Sequence, residues 1–146
     1  MNSDDQKIAI LFSVVGIVVV IFIIVGLAIQ AAICWFLSNC FKRIPPQFRK
    51  QEPGQVWLLM IPCFNLVWNF FVYPSLARSF QAYFRAQGRT DVGDCGDGLA
   101  TAVCILNLTA TIPYLNALTG PATLVVMIIF LVKANDLKNQ IPIEAV

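Results

Sequence analysis

The chain has 146 residues, 58% of them hydrophobic and 12% charged, with a formal net charge of +2 and a mean hydropathy of +0.75. Soluble domains carry about 25% charged residues, so this composition indicates an integral membrane protein of one domain, with room for roughly four or five crossings at about 20 residues each. The small charge, with no basic patch interleaved with aromatics, excludes nucleic acid as a partner, and the lack of any histidine removes Ser-His and Cys-His nucleophile pairs together with the commonest metal ligand.

Residues 8–40 predict one long transmembrane helix, because no charge interrupts the run from Ile8 to Phe41, far beyond the ~18 apolar residues that mark a span. Its length of roughly 45–50 Å exceeds the roughly 30 Å hydrocarbon core, so it must tilt or project. A cleaved signal peptide would need a basic start and a shorter apolar core, whereas this chain opens MNSDDQK. Gly16, Gly26, Ala28, Ala31 and Ala32 offer small residues for close helix packing.

Residues 42–54 form a basic loop: Lys42, Arg43, Arg49 and Lys50 face one acid, Glu52, and Pro45, Pro46 and Pro53 stop any helix. Under the positive-inside rule this loop is cytoplasmic and the N-terminus, with Asp4 and Asp5, lies outside.

Residues 55–87 hold a break in an apolar run, IPCFN, where Pro62 removes a backbone donor and Asn65 brings an amide into apolar surroundings. A helical hairpin turning at Pro62–Asn65 would return Arg78, Arg85 and Arg89 to the cytoplasmic side; the alternative is one helix from Val56 to Phe84 kinked at Pro62 and Pro74. After Pro74, Leu76, Phe80, Tyr83 and Phe84 alternate with Arg78, Gln81, Arg85 and Gln87, predicting an amphipathic helix at the membrane interface, or else the wet end of the preceding span with snorkelling arginines.

Residues 88–98, GRTDVGDCGDG, place Asp91, Asp94 and Asp97 among four glycines. The carboxylates could converge on a hard cation, but the spacing is not that of an EF-hand and a solvated turn is the expected state. The five cysteines, Cys34, Cys40, Cys63, Cys95 and Cys104, contain no C-x-x-C pair and read as small buried hydrophobes, with Cys95 the most accessible thiol.

Residues 99–135 predict a second hairpin, because IPYLN at 112–116 repeats the I-P-x-x-N pattern with similar apolar flanks and a following basic residue. Its tip contains Pro113 and Asn116, and Gly120 with Pro121 reads as a C-cap followed by an N1 proline between two arms, Leu99–Thr111 and Ala122–Ala134. Such short arms need cover, from the first helix or another subunit. Asn107, Thr109, Thr111 and Asn116 are polar groups in apolar runs, which would bond to a neighbouring helix or line a path. Residues 136–146 are a tail.

Trp57, Ile61, Pro62, Asn65, Trp68, Pro113 and Asn116 carry a resemblance, over roughly residues 45–140, to small multi-pass bacterial membrane proteins grouped as a domain of unknown function. The resemblance implies a bacterial inner membrane and no particular activity. The expected protein is thus an all-α integral membrane protein, with a long first helix, two I-P-x-x-N hairpins and an interfacial helix between them. It needs no cofactor and no metal. Ser13 and Ser75 have no evident base, and the expected role is non-catalytic: a structural or accessory subunit, in a homo-oligomer or a larger membrane complex. A homo-oligomeric channel or transporter with an uncharged Asn/Thr-lined path is the alternative.

Overall fold

The computed structural model describes residues 2–142. Among these, four α-helices and two 3-10 segments make up the chain: α1 (Ser3–Arg43), a 3-10 turn (Pro46–Phe48), a 3-10 helix (Pro53–Met60), α2 (Pro62–Ala86), α3 (Asp97–Thr109) and α4 (Pro113–Asn139). Two helical stretches, Ser3–Arg43 and Thr119–Asn139, are long and apolar enough to cross a membrane.

α1 begins where the Asn2 amide donates to the Asp5 carboxylate at 3.2 Å and where Asp4 and Asp5 sit in the first turn, acids favoured by the helix dipole. It ends at Ile44, whose backbone turns extended (φ −82°, ψ 131°) because the following Pro45 disfavours helix in its predecessor. Arg49 then folds back. Its Nε donates to the Ile44 carbonyl at 2.6 Å and its Nη2 to the Lys42 carbonyl at 2.8 Å, satisfying acceptors that a helix C-terminus leaves open.

The two I-P-x-x-N sites have the same backbone. Ile61 (φ −84°, ψ 112°) and Ile112 (φ −91°, ψ 115°) are extended, and Pro62 and Pro113 are the first residues of α2 and α4. Proline is suited to that position, where its missing N–H would have no partner. The turn is therefore one extended isoleucine, and Pro62 and Asn65 belong to the first turn of α2 instead of closing a hairpin tip. The single helix from Val56 is also absent, since Pro53–Met60 is 3-10.

Two further expectations are corrected. Gly120 and Pro121 lie inside α4: Pro121 leaves out one backbone bond, which a helix interior accommodates, so the second arm runs 27 residues and not from Ala122. The amphipathic segment after Pro74 is likewise continuous with α2, which carries Pro74 internally.

The chain runs up and down. The Gln30 amide reaches the Leu59 carbonyl (3.3 Å) and Arg49 reaches Lys42, which sets the 3-10 helix antiparallel to the end of α1. Trp68 Nε1 donates to the Gln55 carbonyl at 2.9 Å, pairing α2 with the 3-10 helix in the opposite sense. Cys104 Sγ approaches the Asn69 carbonyl (3.2 Å) and Arg78 pairs with Asp97 (3.4 Å), so α3 returns along α2. Lys133 meets Asp94, just before α3, so α4 descends again. The core lies between them: Cys34, Leu37, Phe41, Val56, Leu59, Tyr73, Leu76, Phe80, Phe84, Val103 and Phe130 are all buried. Tyr73 and Phe130 meet edge to face with centroids 5.5 Å apart, the preferred geometry of aromatic pairs.

Candidate functional site

This alternation sorts the chain into two ends. Three stretches carry no charge, 8–41, 53–77 and 98–132, and each is folded toward the end where Ile61 and Ile112 turn. At the opposite end, here called the base, lie residues 42–52, 78–97 and 133–142. Nine of the ten basic residues are at the base, and Lys7 is the exception. Periodicity plays little part in this segregation; it follows from turns placed midway between charges.

The surface of the charge-free end is apolar. Ile61, Val67, Phe71, Ile105, Leu108, Ile112, Leu124, Val125, Ile128 and Val132 are exposed, and Tyr114 is 93% exposed. Among the described residues the first tip has no cover from the first helix: Pro62 and Cys63 are exposed as well. In α1 every residue from Ser3 to Ile29 is exposed, and only the last third packs on the body, with Cys34, Leu37, Ser38, Cys40 and Phe41 buried. From Ile8 to Phe41 α1 rises about 50 Å, whereas α4 from Pro113 to Val132 rises about 30 Å. α1 therefore overhangs the rest of the fold.

Two of the four polar groups expected to line a path, Thr109 and Thr111, bond back to carbonyls of the preceding turn, as do the hydroxyls of Thr119 and Thr123 in α4. Thr109 Oγ donates to the Leu106 carbonyl (2.9 Å), Thr111 to Leu108 (2.6 Å), Thr119 to Leu115 (2.9 Å) and Thr123 to Thr119 (2.9 Å). Such back-bonding lets a hydroxyl sit in apolar surroundings without a second helix. Asn107 is half-buried, the Asn65 Oδ1 is buried without a partner among the described residues, and the side chains of Pro113 and Asn116 lie outside the described part.

At the base, the three aspartates do not converge. Asp91 takes Arg89 (3.0 Å), Asp97 takes Arg78 (3.4 Å) and Asp94 takes Lys133 (3.0 Å). Asp94 also accepts from the amides of Gly96 (3.0 Å) and Gly98 (3.1 Å), and these contacts, with the Gly96 amide foremost, hold its carboxyl down at about 2. It is thus the surrogate cap of α3, whose N-cap, Gly96, has no side chain and sits in the left-handed region (φ 86°). No group of three metal-ligating side chains occurs among the described residues. Cys95, expected to be the most accessible thiol, is buried, and burial pushes its thiol up; Cys63 at the start of α2 is the exposed one.

Of the interface cations singled out from the sequence, Arg78 is in an ion pair and Arg49 caps α1. Lys42, Lys50 and Arg85 are exposed, and Arg43 is half-buried with its Nε lacking an acceptor among the described residues. Lys138, which sequence reasoning missed, lies over the Phe36 ring at 5.5 Å, joining the ends of α1 and α4. The only sequence signal for it was a lysine in the last turn of an apolar helix.

Compared with known proteins, the chain matches no family model, no curated protein and no solved structure.

Proposed function

We propose that the protein is a non-catalytic membrane subunit, embedded through its charge-free end with the base on the cytoplasmic side of a bacterial inner membrane, and that it assembles with other membrane chains along α1. The observation that carries this reading is the overhang of α1. A helix whose residues 3–29 are all exposed and whose charge-free run is about 20 Å longer than that of α4 has more uncovered apolar surface than a ~30 Å hydrocarbon core conceals. Tilting shortens its projection only in part, and a second transmembrane chain covers the remainder through van der Waals contact with Gly16, Gly26 and Ala28. The charge segregation supports the embedding, since it leaves no ionised group in the apolar zone. The threonine back-bonding favours a subunit over a channel, because those hydroxyls already have acceptors.

Native mass spectrometry after mild detergent extraction tests the reading. Other chains in fixed ratio, or a multimer dissociated by Gly16→Leu and Gly26→Leu, are expected. A monomer that survives extraction alone overturns the assembly reading. A ring of this chain that conducts ions in a planar bilayer overturns the accessory-subunit reading in favour of a channel.

A further inference from the structure

We infer that the base binds the headgroup of an anionic phospholipid between the ends of α1 and α4, with Arg43 and Lys138 as its two cationic contacts. The inference rests on the membrane-embedded reading and adds a ligand to it. Nine basic residues share the base with the carboxylates of Glu52, Asp91, Asp94, Asp97 and Asp136. Three of the basic side chains, Arg78, Arg89 and Lys133, are matched by aspartates, and Arg49 is engaged by α1 carbonyls. Lys42, Arg43, Lys50, Arg85 and Lys138 remain without an ion-pair partner among the described residues.

Two of these five differ from ordinary solvated cations. The Arg43 Nε is buried with no acceptor among the described residues, and a guanidinium N–H withdrawn from water calls for an oxygen. Lys138 is half-buried, held over the Phe36 ring, and Arg43 lies two turns beyond Phe36 on the same side of α1. Both cations therefore border one edge of the fold, where the charge-free surface gives way to the base. Helix C-termini ordinarily repel anions, but at α1 the Arg49 guanidinium already occupies the last carbonyls. A phosphate diester supplies oxygens in the planar arrangement that arginine matches, and its acyl chains continue onto the apolar surface of α1 and α4. A free anion would gain nothing from that surface, so a lipid fits better than dissolved phosphate.

The test uses the full chain in detergent micelles, titrated with phosphatidylglycerol or with phosphatidylcholine of the same acyl chains, and counts bound lipid by native mass spectrometry. The wild type is expected to prefer phosphatidylglycerol by tenfold or more, since each basic residue at an anionic surface contributes about a factor of five. Arg43→Gln with Lys138→Gln should remove most of that preference, Arg43→Lys should keep part of it, and Lys7→Gln, at the far end, should leave it intact. Circular dichroism establishes that the variants keep their helices. Equal retention of the two lipids overturns the inference, as does an equal loss from Lys7→Gln or from Lys50→Gln. Carbonate extraction separates the two claims: a chain that leaves the membrane in carbonate refutes the embedding itself, whereas one that stays and shows no lipid preference refutes only the headgroup site.

Discussion

Asp94→Ala removes three contacts at once, and their sizes can be ranked. The two amide bonds, from Gly96 and Gly98 at 3.0 and 3.1 Å, do the work of an N-cap, whose loss costs about 1 kcal/mol. The ion pair to Lys133 joins side chains that are 54% and 38% exposed, so solvent screening leaves it at about 0.2–1 kcal/mol. Together they come to roughly 1.5 kcal/mol, or about a tenfold change in the opening equilibrium of the α3 N-terminus. The amides of Gly96 and Gly98, followed by hydrogen exchange as protection factors, should therefore lose about tenfold in Asp94→Ala. Lys133→Met should cost less, because only the pair is lost, and Asp94→Asn should fall between. The pH dependence has a definite sign. The folded-state value of about 2 lies below the ordinary ~3.9 of an aspartate, so the contribution is complete above that ordinary value and is lost as pH falls toward 2. Protection in the wild type should hold from pH 7 to 5 and decline between 4 and 2, and the Asp94→Ala variant should lack this decline. If Lys133→Met costs as much as Asp94→Ala, the pair and not the cap dominates, and the ranking is refuted.

Gly96→Ala should destabilise by about 1–2 kcal/mol, read as a thermal midpoint in detergent, because its φ of +86° disfavours a side chain, whereas the space there admits a Cβ in ordinary contact with Lys133. Trp68→Phe keeps the aromatic ring but loses the indole bond to the Gln55 carbonyl, so Gln55–Met60 should become more sensitive to protease at a cost of about 1 kcal/mol. Phe130→Ala empties the space against Tyr73 and should cost about 3–5 kcal/mol, enough to abolish a cooperative melting transition.

The Asp-Gly loop illustrates how a local pattern misleads. Three aspartates at even spacing look alike in sequence, yet each meets a different cation because α2, α4 and the loop itself bring Arg78, Lys133 and Arg89 to it. Those partners come from up to 39 residues away, beyond the reach of any spacing argument. Cys95 was misjudged for the same reason: it sits in a glycine-rich loop, but it is buried, with Lys133 and Phe130 of α4 beside the adjoining Gly96. The repeat was legible as a repeat and misread in register. Proline restricts both its own φ and its predecessor, so both Ile-Pro steps favoured a helix break, although α2 and α4 pass through Pro74 and Pro121; sequence does not say which prolines break the helix, nor whether the amide closes a tip or enters the next helix. Gly120–Pro121 has the chemistry of a helix stop, and α4 passes through it because Leu124 to Phe130 continue the helix beyond.

Composition by itself determined that the chain is helical and apolar, since an uninterrupted run such as Ile8–Phe41 can satisfy its backbone away from water only as a helix. The charge-free runs and the two Ile-Pro breaks were equally local, being written in consecutive residues. The tertiary structure alone decided which end of each run points where. Bringing 8–41, 53–77 and 98–132 to one side required antiparallel packing around Tyr73 and Phe130. That packing leaves Arg43 and Lys138 without ion-pair partners among the described residues, and because only the last third of α1 packs on the body, it leaves the rest of that helix uncovered.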